Sequence, residues 1–384
     1  MRFTVVTPSL NKAQFVSETL ESVLSQEGDF ELEYFVCDGG STDGTVELLR
    51  RAEREFQEGK WKGRNRGISF SWSSAPDGGQ AAAINAGLRR ATGTAACYLN
   101  ADDLLYPHAL SHAAEAFRAY PAADFIHGDG DVIDQCGALQ WEWLSRPFSH
   151  SVMTGYHYLW NDFTNYILQQ AVFWRTRVHE RIGFFDESFH YAMDVEYWVR
   201  GSSHHLRFKH VPKKLAAFRL IPGTKSLSGP TVFWPDYIEI IRRYRPGRSL
   251  ALPLAFYYFN RARCCGFDLA AAFSDEECIR WRWQNLTEKE RGRREADRQR
   301  AMTLAHFLIA LELECKDRHT EAAEIFRAGR KRRPRSFAAL FPGAAYLLRR
   351  IAGPHWGRRA EAAFHSAVRA YRRMRYDYRY ASRG

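Results

Sequence analysis

A mostly parallel β-sheet flanked by helices is the α/β fold that residues 1–230 predict, and an α-helical, Arg-rich region is predicted over 231–384. Three observations carry this reading. Short apolar, β-branched runs alternate with amphipathic segments up to residue 99. Each run stops at a loop rich in Gly, Asp, Asn or Ser. Beyond Gly229 the alternation gives way to helical periodicity. A β-α-β-α order needs crossover helices, and those make a parallel sheet with ligands at the C-terminal ends of its strands.

The elements follow in order. Phe3–Thr7 is a strand that Pro8 ends, and Asn11 is placed to cap a helix with Phe15, Leu20, Val23 and Leu24 on its apolar side. Leu32–Cys37 is the second strand. It stops at Asp38-Gly-Gly-Ser-Thr-Asp-Gly, before a helix over Thr45–Glu58, and Asp43 reads as a turn or capping residue. Ile68–Trp72 is the third strand. The loop Ala75-Pro-Asp-Gly-Gly-Gln and the Ala-rich helix Ala81–Arg90 follow it, with Gly93 as the C-cap. Ala95–Leu99 is the fourth strand, stopping at Asn100-Ala-Asp-Asp. Farther on, Phe125–Ile133, Trp141–Trp143 and Gln170–Trp174 read as strands, and a helix lies within Phe184–Arg200. Residues 231–263 and 295–375 read as amphipathic helices, with a faint helical-repeat pair at 303–333.

Composition narrows the classes. Hydrophobic residues make up 45% and aromatic residues 14%, enough for a sizeable core, which excludes disorder of the whole chain. The opening MRFTVVTPSLNK does not read as a signal peptide, and no run reaches the ~20 apolar residues of a membrane span. The seven cysteines include no CxxC pair, and Cys264 and Cys265 are adjacent, so they read as reduced, mostly buried thiols. A cytoplasmic protein is expected, alone or peripheral at the inner face of the membrane. The net charge of +11 is uneven: residues 282–384 hold 25 Lys and Arg against 11 Asp and Glu. That tail contains Arg-Lys-Arg-Arg-Pro-Arg at 330–335 and several Tyr near its end. It reads as a surface for anionic membrane or as a solvated basic face, with nucleic acid disfavoured.

The chemistry concentrates in acids that follow strands: Asp38, Asp77, and the adjacent Asp102 and Asp103. Two neighbouring carboxylates repel unless a cation stands beside them, and Mg²⁺ or Mn²⁺ is the hard cation that oxygen ligands suit. A helix cap before Pro107 is the plainer alternative for the Asp102–Asp103 pair.

These segments resemble glycosyltransferase family 2, enzymes of the GT-A fold. The resemblance lies in TVVTPSLNKAQFVSETLESVLSQ, VCDGGSTDGT, PDGGQAAAINAGLRRATG, YLNADD and FDESFHYAMDVEYWVR, in that order over about residues 1–230. It implies inverting transfer of a sugar from a nucleotide-diphosphate donor to a hydroxyl acceptor, a glycan or a lipid-linked molecule, in envelope or polysaccharide synthesis. It also implies that Thr7, Pro8, Ser9 and Asn11 line the nucleotide end, and that Asp38 and Asp77 approach the base or ribose. Gln80 and Asn100 join the donor-binding set, Asp102 and Asp103 hold Mn²⁺ or Mg²⁺ with Asp102 also touching the ribose, and Gln170 approaches the donor sugar. Asp194 takes the place of the general base. Glu196 stays open as the rival base, because the two acids stand at i and i+2 on one helix and only one can face a donor. Two departures stand out: Asn100 replaces an Asp, and Arg219 is followed by Leu220-Ile221 where relatives carry a His. A sugar nucleotidyltransferase and a non-catalytic sugar-nucleotide-binding module are the alternative readings.

Overall fold

The computed structural model describes residues 1–154, 167–225, 232–274 and 286–332. Of the segments read from the sequence, the basic run at 330–335 from residue 333 on, the Tyr-containing end of the tail and the helical reading from 333 to 375 lie outside the described residues. The described residues fall into two compact units, one reaching to 153 and running again from 167 to 225, the other from 232 onward.

The first unit is a nine-stranded sheet in the order β3-β2-β1-β4-β8-β6-β9-β5, with β7 paired to β6. Its parallel half is β3 (Gly67–Ser74), β2 (Glu31–Asp38), β1 (Arg2–Ser9) and β4 (Ala95–Tyr98), joined by α1 (Val16–Leu24), α2 (Thr45–Gln57) and α3 (Gln80–Arg89). β1 and β4 are covered on both faces, which is why they read as unbroken apolar runs and not as alternating ones. The other half mixes directions. β8 (Val172–Arg175) runs antiparallel to β4 and to β6 (Phe125–Ile133), while β6 runs parallel to β9 (Phe208–Arg219). β7 (Leu139–Trp143) and β5 (Leu104–Leu105) are antiparallel additions. α4 (Ala109–Ala119), α5 (His150–Met153), α6 (Arg177–Ile182) and α7 (Met193–Ser203) complete this unit, and Gln169–Ala171 form a 3₁₀ turn before β8.

Two expectations at helix ends are corrected. α1 starts at Val16, not beside Asn11, and Phe15 precedes it with no side-chain cap. Asn11 adopts φ +52° and spends its side chain elsewhere, as described below. Gly93 is not a C-cap, since α3 closes at Arg90. The chain needs a glycine there for clearance, because a Cβ would come within 2.6 Å of Thr4 Oγ1 and 2.9 Å of the Arg2 carbonyl.

Gly87 plays a similar part in α3, where a Cβ would meet Val6 Cγ1 at 2.5 Å. Val6 is fully buried on β1 and cannot move aside. Gly87→Val is therefore expected to overpack this layer and to lower unfolding free energy by about 1–3 kcal/mol, measurable by urea unfolding.

The second unit is helical: α8 (Trp234–Tyr244), α9 (Ala251–Cys264), α10 (Leu269–Ser274), α11 (Glu288–Cys315) and α12 (His319–Arg332). Its core joins Trp234, Ile238 and Ile241 to Leu254, Phe256 and Tyr257 of α9, and to Leu304, Leu308 and Ala322 of α11 and α12. No helix among the described residues is long and apolar enough to cross a membrane. Cys37 and Cys97 are buried free thiols, but Cys136, Cys264 and Cys265 are exposed, against the expectation of mostly buried cysteines.

Candidate active site

The C-terminal ends of β1 and β2 are joined by a hydrogen-bonded zipper between the loops that follow them. Ser41 Oγ accepts the Asn11 N–H at 2.7 Å, and Asn11 Oδ1 accepts the Thr42 N–H at 2.9 Å. The Lys12 N–H donates to Thr45 Oγ1 and the Ala13 N–H to Asp43, each at 2.9 Å. Asp43 also accepts the Thr45 N–H and hydroxyl, so it is the turn residue the sequence suggested. Thr7 is fully buried, its hydroxyl 3.0 Å from the Tyr34 phenol. Pro8 and Ser9 are buried in register with Cys37 and Asp38, and the Ser9 carbonyl accepts the Gly39 N–H at 2.8 Å. Of the four residues expected at the nucleotide end, only Asn11 is exposed.

Asp38 ends β2 and is filled by its own surroundings. It accepts the Gly40 and Ser41 N–H groups at 3.1 and 2.9 Å, the Ser41 hydroxyl at 2.5 Å and the Ser74 hydroxyl at 2.6 Å. Burial pushes its carboxyl up, but the hydroxyls of Ser41 and Ser74 and the Ser41 N–H outweigh that and hold it below the usual carboxylate range. Asp77 is exposed and takes the Gly79 N–H at 2.7 Å. It stands close over Gly39, where a Cβ would lie 3.1 Å from Asp77 Oδ2.

The centre of the site is the turn after β4. Asp103 is 1% exposed and accepts three N–H groups: Asn100 Nδ2 at 3.0 Å, Gln170 Nε2 at 2.7 Å and the Arg219 backbone N–H at 2.9 Å. Burial, and then the adjacent Asp102 charge, raise Asp103 to about 7 despite those donors. Asn100 Oδ1 accepts Gln80 Nε2 at 2.7 Å, and Gln80 Oε1 takes the Lys225 ammonium at 3.3 Å. Lys225, Gln80, Asn100, Asp103 and Gln170 thus form one chain of bonds across four elements of the first unit. Asp102 keeps 12% side-chain exposure, and its Oδ2 receives the Lys12 ammonium at 2.5 Å.

Arg219, marked in the sequence only by the Leu220-Ile221 that follows it, is a strut of this turn. Its buried guanidinium donates to the Asp102 and Gln135 carbonyls at 2.9 and 3.1 Å and to Glu18 at 2.6 Å. Thr19 Oγ1 donates to the Asp103 carbonyl at 2.9 Å, which ties α1 to the same turn.

The two rival acids on α7 have different surroundings. Asp194, in the first turn, is half-buried and accepts the Val195 N–H at 2.8 Å. Glu196 is 1% exposed and paired with Arg200 at 2.9 Å. Arg200 also donates to the Phe184 and Ile182 carbonyls. After burial, the charges of Asp194 and Asp103 both raise the Tyr98 phenol well above its ordinary value, so Tyr98 stands within electrostatic reach of each. Gln169 Nε2 holds the Tyr98 carbonyl at 3.0 Å while Gln170 holds Asp103, so consecutive glutamines fix the end of β4.

Lys12, Glu18, Gln169, Arg219 and Lys225 were not singled out as site residues. The only sequence signal for Lys12 was its place directly after Asn11 in the turn following β1.

The family model for glycosyl transferase family 2 matches residues 4–179. An uncharacterized glycosyltransferase of Nostoc sp. is 28% identical over 141 residues, 35% of this chain and 40% of the relative. A Mycobacterium bovis PGL/p-HBAD biosynthesis glycosyltransferase is 28% identical over 200 residues, 52% of this chain and 68% of the relative. The chain thus spans less than half of the Nostoc protein. Among solved structures, Staphylococcus aureus TarS 1–349 in complex with UDP-GlcNAc is similar with 16% identity and TM-score 0.48, covering 88% of this chain and 89% of that one. A Pyrobaculum calidifontis mannosyltransferase in complex with GDP-Man and Mn²⁺ is similar with 18% identity and TM-score 0.41, covering 96% and 84%. The family match runs through the zippered loops, Asp38, Asp77, the Asp102–Asp103 turn and Gln170, and over those residues, 4–179, the chain is similar to glycosyl transferase family 2.

Proposed function

We propose that this glycosyltransferase moves a sugar from a nucleotide-diphosphate donor to a hydroxyl acceptor in one inverting displacement, with Asp194 as the base. The observation that carries the reading is the division of labour among the acids. Asp38, Asp103 and Glu196 are buried within bonds to their own scaffold, whereas Asp194 is half-buried and Asp102, held by Lys12, keeps 12% side-chain exposure. Asp194 accepts the proton of the acceptor hydroxyl as its oxygen bonds to the anomeric carbon. The bond from that carbon to the diphosphate breaks on the opposite side, and the electron pair leaves with the phosphate. Asp77, Gln80, Asn11 and the edge of the zippered loops are the donor-facing groups, and Asn100 and Gln170 are positioned through Asp103.

Asp102 fits a hard divalent ion of the Mn²⁺ or Mg²⁺ kind. No group of three His, Cys, Asp or Glu surrounds a common point among the described residues. Such an ion accepts one or two protein carboxylates and completes its shell with phosphate oxygens and water. When bound, it would supply Lewis-acid stabilisation of the leaving diphosphate. Asp103 contributes by holding the turn, since its oxygens are already engaged. The acceptor is proposed to be a glycan or lipid-linked hydroxyl compound, with the basic tail as a contact for anionic membrane.

The test is a donor panel. Purified protein with Mn²⁺ and UDP-, GDP- or dTDP-sugars is expected to release nucleoside diphosphate from one donor class in the presence of acceptor extract, and EDTA is expected to stop it. Release of pyrophosphate would identify nucleotidyl transfer instead. Binding without turnover of any donor would leave a binding module.

A further inference from the structure

Asp102 already has a cation. Lys12 Nζ lies 2.5 Å from Asp102 Oδ2, with the two side chains only 24% and 12% exposed. The turn that carries Lys12 is fixed by the backbone bonds from Asn11, Lys12 and Ala13 into the loop after β2. The lysine stem is therefore the movable part. Arg219 cannot take its place, because its guanidinium is engaged by the Asp102 and Gln135 carbonyls and by Glu18. Asp103 cannot share the load, because its carboxylate is filled by three N–H donors.

A divalent ion and an ammonium on one carboxylate repel each other, and that repulsion is strong where water is partly excluded. A lysine driven off Asp102 needs another anion, and a donor diphosphate bound at the same ion supplies one within reach of a four-carbon stem. We propose that Lys12 is a tethered counter-ion that occupies Asp102 before the ion arrives and passes to the donor's diphosphate when it does. Ion and nucleotide binding are then positively coupled through one side chain. The inference rests on the reading of Asp102 as the ion's ligand, and it adds a positioning residue which that reading lacked.

The experiment measures Mn²⁺ binding to the full chain by the EPR signal of free Mn²⁺, alone and with UDP, GDP or dTDP. Nucleoside diphosphate binding without metal is followed by calorimetry. For the unaltered protein, Mn²⁺ is expected to bind weakly alone and more tightly with the matching nucleoside diphosphate. In Lys12→Met, Mn²⁺ alone should bind tighter by on the order of tenfold, nucleoside diphosphate alone should bind more weakly, and their mutual enhancement should shrink toward one. Lys12→Gln keeps a hydrogen bond without charge and should behave like Lys12→Met, whereas Lys12→Arg should keep the coupling. Unchanged or weaker Mn²⁺ binding in both neutral variants, with thermal unfolding unaltered, would overturn the proposal. Failure of the underlying reading looks different. The unaltered protein would then take up no Mn²⁺ even at saturating nucleoside diphosphate, and Asp102→Asn would change nothing; that result overturns both.

Discussion

Asp194→Asn is expected to lower sugar transfer by ~10²–10⁴-fold while leaving nucleoside diphosphate binding and thermal stability near those of the unaltered protein. The loss is confined to turnover because a base is needed only when the acceptor hydroxyl gives up its proton, and the amide is nearly isosteric. Glu196→Gln should show the opposite pattern. Its carboxylate is buried against Arg200, whose guanidinium is itself held by the carbonyls of Ile182 and Phe184. Neutralising one partner strands the other, which costs on the order of 3 kcal/mol. Glu196→Gln should therefore unfold at lower denaturant yet, once folded, retain turnover. If Glu196→Gln instead loses turnover with stability intact, and Asp194→Asn stays active, the two roles must be exchanged.

At Asp103 the second large effect takes the form of a pH dependence. Burial and the neighbouring Asp102 charge raise its carboxyl to about 7, whereas in the unfolded chain an Asp titrates near ~3.9. Between those values the folded protein keeps a proton that the unfolded chain has lost. This group therefore makes stability fall as pH rises through the window from about 4 to about 7, and the loss persists above it. One such group can contribute a slope of at most about 1.4 kcal/mol per pH unit. Asp103→Asn removes the titration, so the unfolding free energy of the unaltered protein minus that of the variant should decline across the window. The measurement is urea unfolding at a series of pH values in EDTA. A difference that stays flat with pH would mean that Asp103 ionises in the fold as freely as in the unfolded chain.

The first four strands were legible because each is a short apolar run, three of them buried on both faces, and each ends where the chain turns polar. The acids at those ends were legible for the same reason. What escaped was whatever depended on a partner far along the chain. β5 is two residues long and gains its place by pairing with β9 and by a bond from Leu105 to Ser22 of α1. Asn11 has the composition of a helix cap, but an exposed acceptor beside another loop's N–H groups was taken by that loop. Asp194 and Glu196 occupy the same helical turn and cannot be ranked by spacing. Burial and the Arg200 pair separate them, and both arise from packing. Lys12 and Arg219 look like ordinary basic residues until the turn at Asp102 is brought beside them.

The bond from the Arg219 N–H to Asp103 spans 116 residues of sequence, and it sets an order of events during synthesis. The β4 turn leaves the ribosome with an acid whose last donor does not yet exist. At ~5–20 residues per second that donor follows roughly ten seconds later. Until β9 arrives, β6 also lacks its parallel partner. The same span governs where the chain can be cut. A fragment trimmed to the matched stretch of residues 4–179 would carry every acid of the β2, β3 and β4 loops. It would omit α7 with Asp194, as well as β9 with Arg219, and so would separate the Asp102–Asp103 turn from the strand that closes it.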